Sequence, residues 1–517
     1  MKLKKVVALS LCVLAGMSLA SCGGDGGNTS GAYNAGFIKE KTKITLWTIV
    51  GTDNQTYLNK YIESFKKLEP NVEIDNVKQS TNYTGLATMC ESGFAANNYP
   101  DLVQAYPDSV SDFISYGKAV NLETYMDSTV TKSGKELKGD YADSKYDESK
   151  TYQIGWTAEE KSDIVSSYLQ EGQGYVVDGT YSLPFSKSTE AMFYNAGLIG
   201  VTIPGVNDGK ALSKEYFDNL TWEELFDNFC PNFITYNNSL PDDQKILKSD
   251  QEYSAVFAYD SDDNLFITLA EQYGYDYTSI DTTKGVGKCL FNNDNMKALL
   301  KKWHEYAEKG YIISKGSAGD NYTNTYFTKR NTLFSVGSTG GVKYQFDSTD
   351  PMDVQVARIP QPAGGTKNAA KGEKKICQIN QGPSLCVLDH GDENRRLASW
   401  LFYKHLSNYE NSLDWAINSG YSGIRNSVLD SADFAEAFNE TKYKTKTLDR
   451  LMARNSKLAS SVKDMLYTSP SFKGSSECRT QAGGLMTYAL TKDSDMSDSA
   501  LNTKFSSAEA TATLAIG

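Results

Sequence analysis

Asp260, Asp262, Asn264 and Glu271 stand at positions one, three, five and twelve of a calcium-loop pattern. Such a loop turns sharply at position six and needs glycine there, where this chain has Leu265. The stretch reads better as a helix, with an aspartate cap, an apolar face of Leu265, Phe266 and Leu269, and Gly274 as its stop. The three histidines, His304, His390 and His405, are far apart, which argues against a His-rich metal site or a His-centred relay. His304-Glu305 lacks a second histidine four residues on, so the zinc-protease pattern fails. Neither a G-x-S-x-G elbow nor a phosphate-binding P-loop occurs. Carboxylates are abundant, but a glycosidase pair is defined by separation in space, which sequence spacing does not give. The chain is rich in flat aromatic side chains, with 33 Tyr, 21 Phe and 6 Trp. Aromatic faces suit the apolar faces of sugar rings and tyrosine adds a hydroxyl, although core packing must account for most of them. These patterns call for no metal and no cofactor.

At the N-terminus, Lys2, Lys4 and Lys5 precede an apolar run over 6–19, broken by Ser10 and Gly16. This reads as a secretory leader, too short for a stable membrane span. Leu19-Ala20-Ser21-Cys22 resembles a bacterial lipobox, in which the cysteine is lipidated and becomes the mature N-terminus; a plain cleavage site is the alternative. Residues 1–21 are therefore expected to be a lipoprotein signal peptide. Residues 22–42, glycine-rich after Cys22, are expected to be a flexible tether. The protein would be anchored to the cell membrane by its lipid, facing the extracellular or periplasmic side. Lys+Arg is 52 against Asp+Glu 64, a formal charge of -12, and losing the three leader lysines deepens it. Such a chain is a poor binder of nucleic acid or anionic lipid. Cys12 leaves with the leader. Cys90, Cys230, Cys289, Cys377, Cys386 and Cys478 remain, and six cysteines allow fifteen pairings as well as free thiols.

At 517 residues, 40% hydrophobic and 22% charged, the chain is long enough for two large lobes with packed cores. A strand is expected over 44–50 (ITLWTIV). Tyr57, Leu58, Tyr61, Ile62, Phe65 and Leu68 recur at helical spacing and stop before Pro70. A second strand through Val72, Ile74 and Val77, a helix over 83–95 and a strand over 101–106 follow. Asp108 is placed to cap the next helix, with Gly117 as its stop. This alternation implies a parallel sheet with helices on both faces. Ligands of such sheets bind beyond the C-terminal strand ends, here near 47–53, 79–83 and 106–108. Residues 125–170, dominated by Lys, Asp, Glu, Ser and Tyr between 132 and 161, read as a solvated insertion. Further helices are expected from the capping box Thr221-x-x-Glu224, over 394–406 with His405 as a structural residue, and over 414–419 before Gly420.

Several stretches, in order, resemble the extracellular solute-binding proteins of bacterial ABC importers, in the carbohydrate-type family that includes maltose-binding protein. They are ITLWT at 44–48, YPDLVQAYPDSVSDFISYGKAVNL at 99–122, YSLPFSKSTEAMFYN at 181–195, LTWEEL at 220–225, FSVGSTGGVKY at 334–344 and SGYSGIRNS at 419–427. Within that family, LPFSKST, VGSTGG, QGPSL at 381–385 and PSFKGSSECR at 470–479 are similar to cleft-lining segments of glycerol-3-phosphate-binding proteins.

The resemblance implies two doubly wound α/β lobes joined by a hinge, as in type II periplasmic binding proteins. Residues 43–186 plus 316–372 would form lobe I and 187–315 plus 373–517 lobe II, with crossings near 185, 315 and 373. A carbohydrate or glycerol-phosphate-type solute would bind between them, closure would trap it, and permease subunits of an ABC importer would receive it from a monomer. No bond would be made or broken; a surface-tethered glycan-degrading enzyme is the competing class. The implied ligand-binding residues are Trp47, Tyr83, Tyr106, Asp108, Ser188, Ser338, Gly340, Gly382, Tyr421 and Arg479. The aromatic rings offer stacking faces, Asp108 accepts paired hydroxyls, and the serines donate and accept. The glycines bring backbone N–H groups close, and Arg479 forks onto a phosphate or carboxylate. Each has a plainer role beside this one: Asp108 as a helix cap, the glycines as turn formers, Arg479 as a surface charge. Pro107 stands where those relatives carry an acid, and Gly423 stands where their Gly-Tyr-x-Pro turn has proline. Both a phosphorylated polyol and a neutral sugar stay open.

Overall fold

The computed structural model describes residues 37, 38, 40–127, 154–248 and 253–517. Cys22 with its leader, and the most highly charged part of the 125–170 stretch, lie outside the described residues.

The first element among the described residues is strand β1 (Thr42–Thr48), which points Ile44 and Leu46 into the core. Helix α1 (Thr52–Leu68) buries Leu58, Tyr61, Ile62 and Phe65, the stripe read from the sequence, and ends at Glu69 before Pro70. Strand β2 (Val72–Lys78) pairs parallel with β1. Helix α2 (Tyr83–Phe94) is capped by the Asn82 side chain, which accepts from the Gly85 N–H. Strand β3 (Leu102–Ala105), buried throughout, lies on the other side of β1. Helix α3 (Pro107–Ser115) opens with proline at its first position and Tyr106 as N-cap. Asp108, expected from sequence to cap this helix, is instead inside its first turn, and its carboxylate is engaged elsewhere, as described below.

Strand β4 (Ser182–Pro184) leads directly into β5 (Ser188–Asn195), which belongs to a different sheet. That second part of the chain supplies β6 (Ala255–Tyr259), a hairpin of β7 (Thr278–Asp281) and β8 (Val286–Cys289), then β9 (Ile312–Ser314), β10 (Thr332–Ser338), β11 (Val354–Ala357) and β12 (Gln378–Gln381). After Gly382 and Pro383 the chain returns as β13 (Ser384–Val387), and β14 (Leu466–Tyr467) follows much later. The first sheet has the order β2-β1-β3-β13-β4, with β13 antiparallel to both neighbours. The second runs β14-β12-β5-β10-β6-β9, with β11 also paired to β5. Trp400, Phe65 and Leu46 lie in the core of the first lobe, and Phe257, Phe334, Trp222 and Trp303 in that of the second.

Two boundaries differ from expectation. Strand β10 pairs antiparallel with β5 and parallel with β6, so 316–372 sits in the second lobe and the chain does not change lobes near 315. The crossing expected near 373, from the first lobe into the second, is instead a return to the first lobe at 382–383, because β12 is still paired with β5 through Gln381 while β13 pairs with β3 and β4. Accordingly β13 and the helix Glu393–Leu406, which contributes Leu397, Trp400 and Leu401 to the first core, belong to the first lobe. The helix Thr447–Ser461 packs on β11 and β5, so a further crossing precedes it.

The end of the expected insertion is also core. Ile154, Trp156, Ile164, Val165 and Tyr168 are buried, and Trp400 donates through its indole N–H to the Ile154 carbonyl at 3.0 Å. At LTWEEL, Thr221 does cap through the Glu224 N–H (3.1 Å), but the Glu224 carboxylate accepts from Tyr216 at 2.8 Å instead of closing the box. The Asp260–Glu271 stretch enters the helix Asp262–Tyr273, with Ser261 as N-cap and Gly274 ending it at φ +71°. His405 hydrogen-bonds Ser64 at 2.7 Å, and burial lowers its pKa to about 4.

Candidate ligand-binding cleft

The site is built around the crossing segments. Residues 185–187 carry the chain out of the first lobe and 382–383 carry it back. At Gly382, φ is +82°, and a Cβ there would lie 2.0 Å from the Ser186 carbonyl oxygen. Only glycine lets the two crossings lie this close. Lys187, fully buried, donates from Nζ to the Gly382 carbonyl at 2.6 Å and to both Glu171 oxygens at 2.8 Å. Glu171 also accepts from Asn380 (2.6 Å) and Ser384 (3.0 Å), so the pair ties together residues on both sides of the return crossing. Burial pushes the Lys187 ammonium down in pKa, against the pull of Glu171.

Around this junction the structure links nine of the ten residues picked from sequence. The Tyr83 and Tyr106 rings meet edge to face with centroids 5.0 Å apart. The Tyr83 and Tyr421 hydroxyls are neighbours, close enough for Tyr421 to help raise the Tyr83 pKa. The Tyr421 ring lies against Gly340, where a Cβ would come within 3.0 Å of it, and is stacked on Trp415 at 6.1 Å. Ser338 accepts from the Gly340 N–H and donates to Ser188 Oγ, both at 3.2 Å. The Gly382 backbone faces Tyr106, whose hydroxyl is pushed up in pKa by burial and by Tyr421 while Gly382 pulls the other way. On the far side, Arg479 Nε donates to Asp108 Oδ2 at 3.1 Å, and Ser475 donates to Asp108 Oδ1 at 2.5 Å. Arg479 Nη1 donates to Asp263 Oδ2 at 3.0 Å and Asn264 Oδ1 at 2.7 Å. Asp108 is on the first lobe; Arg479, Asp263 and Asn264 are on the second. The tenth residue, Trp47, is half-buried on the core formed by Leu86, Cys90 and Val103, away from the hydrogen bonds and ring pairs that link the others.

Sequence reasoning missed Asp263, Asn264 and Glu190, which extend the Arg479 network through the second lobe. Burial pushes Asp263 up in pKa, but the Arg479 charge and the Ser261 hydroxyl outweigh it and hold the group below the usual range. Glu190, in the buried strand β5, accepts from the Tyr259 hydroxyl and from Asn264 at 3.1 Å, so Asn264 bridges Glu190 and Arg479. An acid inside the otherwise buried run STEAMFYN was the available signal. Burial raises its pKa to about 8, against the Tyr259 and Asn264 hydrogen bonds. Gln381 Oε1 is buried without a donor among the described residues, and turning that amide over lets it accept the Glu190 proton.

The raised acid has a testable consequence. A carboxyl whose folded pKa exceeds its ordinary value of 4.5 takes up a proton on folding, and its contribution is whole below that value. The contribution is lost as pH rises from about 4.5 towards about 8. Glu190→Gln should remove that slope. Urea midpoints at pH 5 and pH 8.5 should differ less in the variant than in the wild type, and an equal difference in both would place the titration elsewhere.

Comparison with known proteins agrees with this architecture. The family described as bacterial extracellular solute-binding protein matches residues 60–441. No curated protein sequence matches the chain significantly. The fold is shared with the cyclic alpha-maltosyl-1,6-maltose binding protein from Arthrobacter globiformis, at TM-score 0.62 and 13% identity over 92% of this chain and 99% of that one. It is shared with UgpB from Mycobacterium tuberculosis in complex with glycerophosphocholine, at TM-score 0.60 and 14% identity over 92% and 98%. The maltose-bound MalE3 of T. maritima follows at TM-score 0.59 and 14% identity over 90% and 99%. With two α/β lobes joined by crossing strands and a family match over most of its length, the chain belongs to the bacterial extracellular solute-binding proteins.

Proposed function

We propose that this solute-binding protein captures a carbohydrate or glycerol-phosphate-type solute between its lobes and delivers it, unaltered, to the permease subunits of an ABC importer. The observation that carries the reading is the Asp108–Arg479 ion pair, which joins the lobes beside a group of tyrosines. Binding in such a cleft favours the closed form by its differential affinity, and the closed form is what a permease would recognise.

The charge balance favours the neutral end of the solute range. Arg479 faces two carboxylates, Asp108 and Asp263, so its charge is already matched before any ligand enters. Tyr83, Tyr106 and Tyr421 supply ring faces and hydroxyls of the kind a sugar uses. Calorimetric titration with maltotriose and with glycerol 3-phosphate tests this. The reading expects the neutral saccharide to bind and to be recovered intact. Binding of glycerol 3-phosphate alone would overturn the charge argument, and steady conversion of maltotriose to products would move the protein to the surface-tethered enzymes.

The site of action follows from Cys22, which is proposed to carry the lipid that holds the mature protein at the membrane. Cys22→Ala should leave the protein unprocessed or release it from the membrane fraction. Unchanged incorporation of labelled lipid in that variant would sink the assignment.

A further inference from the structure

Six cysteines follow Cys22, and the fold brings one partly exposed member, Cys289, to another. In β8, Val286 and Lys288 point outward, while Gly287 and Cys289 share the inward face, as alternate residues of a strand must. That face lies against the segment opening the helix Ser475–Leu490. The Phe472 ring covers Gly287 so closely that a Cβ there would sit 1.9 Å from Phe472 Cδ2. Two residues along the strand, Cys289 packs against the buried cluster that holds Cys478, itself fully buried near the start of the same helix, and the two thiols are close enough to shift each other's ionisation. Cys90 and Cys386 also share a buried cluster, but both are closed off from an external oxidant. Cys386 turns its thiol to the Val387 carbonyl at 3.7 Å, and Cys90, Cys230 and Cys377 are buried.

We propose that Cys289 and Cys478 form a disulfide in the mature extracellular protein, clasping the β7–β8 hairpin to the helix that carries Arg479. The inference rests on the extracellular placement of the family, where thiols meet oxidants, and not on which solute is bound. The oxidant is an external disulfide, from a protein or a small molecule. The Cys289 sulfur, as thiolate, attacks one sulfur of that disulfide and expels the other as a thiolate, giving a mixed disulfide. The Cys478 sulfur, having lost its proton, then attacks Cys289 and expels the second thiolate. Two thiols of this chain become one disulfide, and the external disulfide takes both electrons and both protons to become two thiols. Cys289 suits the attacking role, being the more exposed of the two. Because Cys478 adjoins Arg479, the clasp also fixes the helix turn that presents the arginine to Asp108.

The test uses the full chain isolated without reductant, equilibrated with oxidised glutathione, then unfolded in iodoacetamide and mapped by mass spectrometry. The expected map has one linked pair, Cys289 with Cys478, and alkylated Cys90, Cys230, Cys377 and Cys386. Dithiothreitol should lower the melting temperature by about 5 °C or more, since the bond closes a long loop. In Cys289→Ser that sensitivity to reductant should vanish. Alkylation of both Cys289 and Cys478 in the unreduced protein would overturn the proposal. So would a linked pair made from other cysteines. Should the variant fail to fold, the wild-type map decides alone.

Discussion

Lys187→Met should destabilise the folded protein by about 3–5 kcal/mol, the range for removing one partner of a buried ion pair. Lys187 and Glu171 have side-chain exposures of 0% and 2%, so no solvent is at hand to take over the stranded carboxylate. The loss also removes the bond from Lys187 to the Gly382 carbonyl, which joins the outgoing crossing to the return. Urea unfolding measures the effect directly. The double variant Lys187→Met with Glu171→Leu should recover more than half of the loss, because the large term is the unpaired charge rather than the pair itself. A single variant as stable as the wild type would mean that the crossings are held together by packing alone.

Arg479→Ala should weaken solute binding by about 1.5–3 kcal/mol, the scale of hydrogen bonds to charged groups, in a cluster only partly shielded from water. The reason is not a lost contact to an anion. Without Arg479, Asp108 on one lobe and Asp263 on the other face each other with like charge across the closing cleft. Closure then becomes the costly step. Arg479→Lys should restore only part of the affinity, since a single ammonium lacks the fork that reaches Asp108 through Nε and Asp263 through Nη1 at once. Titration with maltotriose reads both variants, and an unchanged affinity in Arg479→Ala would take the arginine out of the closure mechanism.

The first hundred residues of the body were legible because their signals are local. Helical spacing with Pro70 as a stop marked α1, and the short apolar runs around it marked β1, β2 and β3. Where partners are remote, the signal failed. Strand β10 reads as an apolar run whichever sheet it joins, and only its pairing with β5 and β6 assigns it to the second lobe. Asp108 has the local look of a cap, yet its partners, Ser475 and Arg479, lie more than 360 residues away in sequence. The segment through Ile154, Trp156 and Tyr168 was hidden by the charged stretch before it. Of the candidate cleft, the residues on family-like segments were picked from sequence, while Asp263 and Glu190 were not. Asp263 looks like one acid in an acidic helix start, and Glu190 needed the buried position of β5 to be recognised as unusual.

Small-angle scattering on one sample, before and after saturation with maltotriose, tests the central claim most directly. A solute that bridges the lobes must draw them together, so the radius of gyration should fall on binding, and the saccharide should be recovered chemically intact. An unchanged radius at calorimetrically verified saturation would contradict capture by closure.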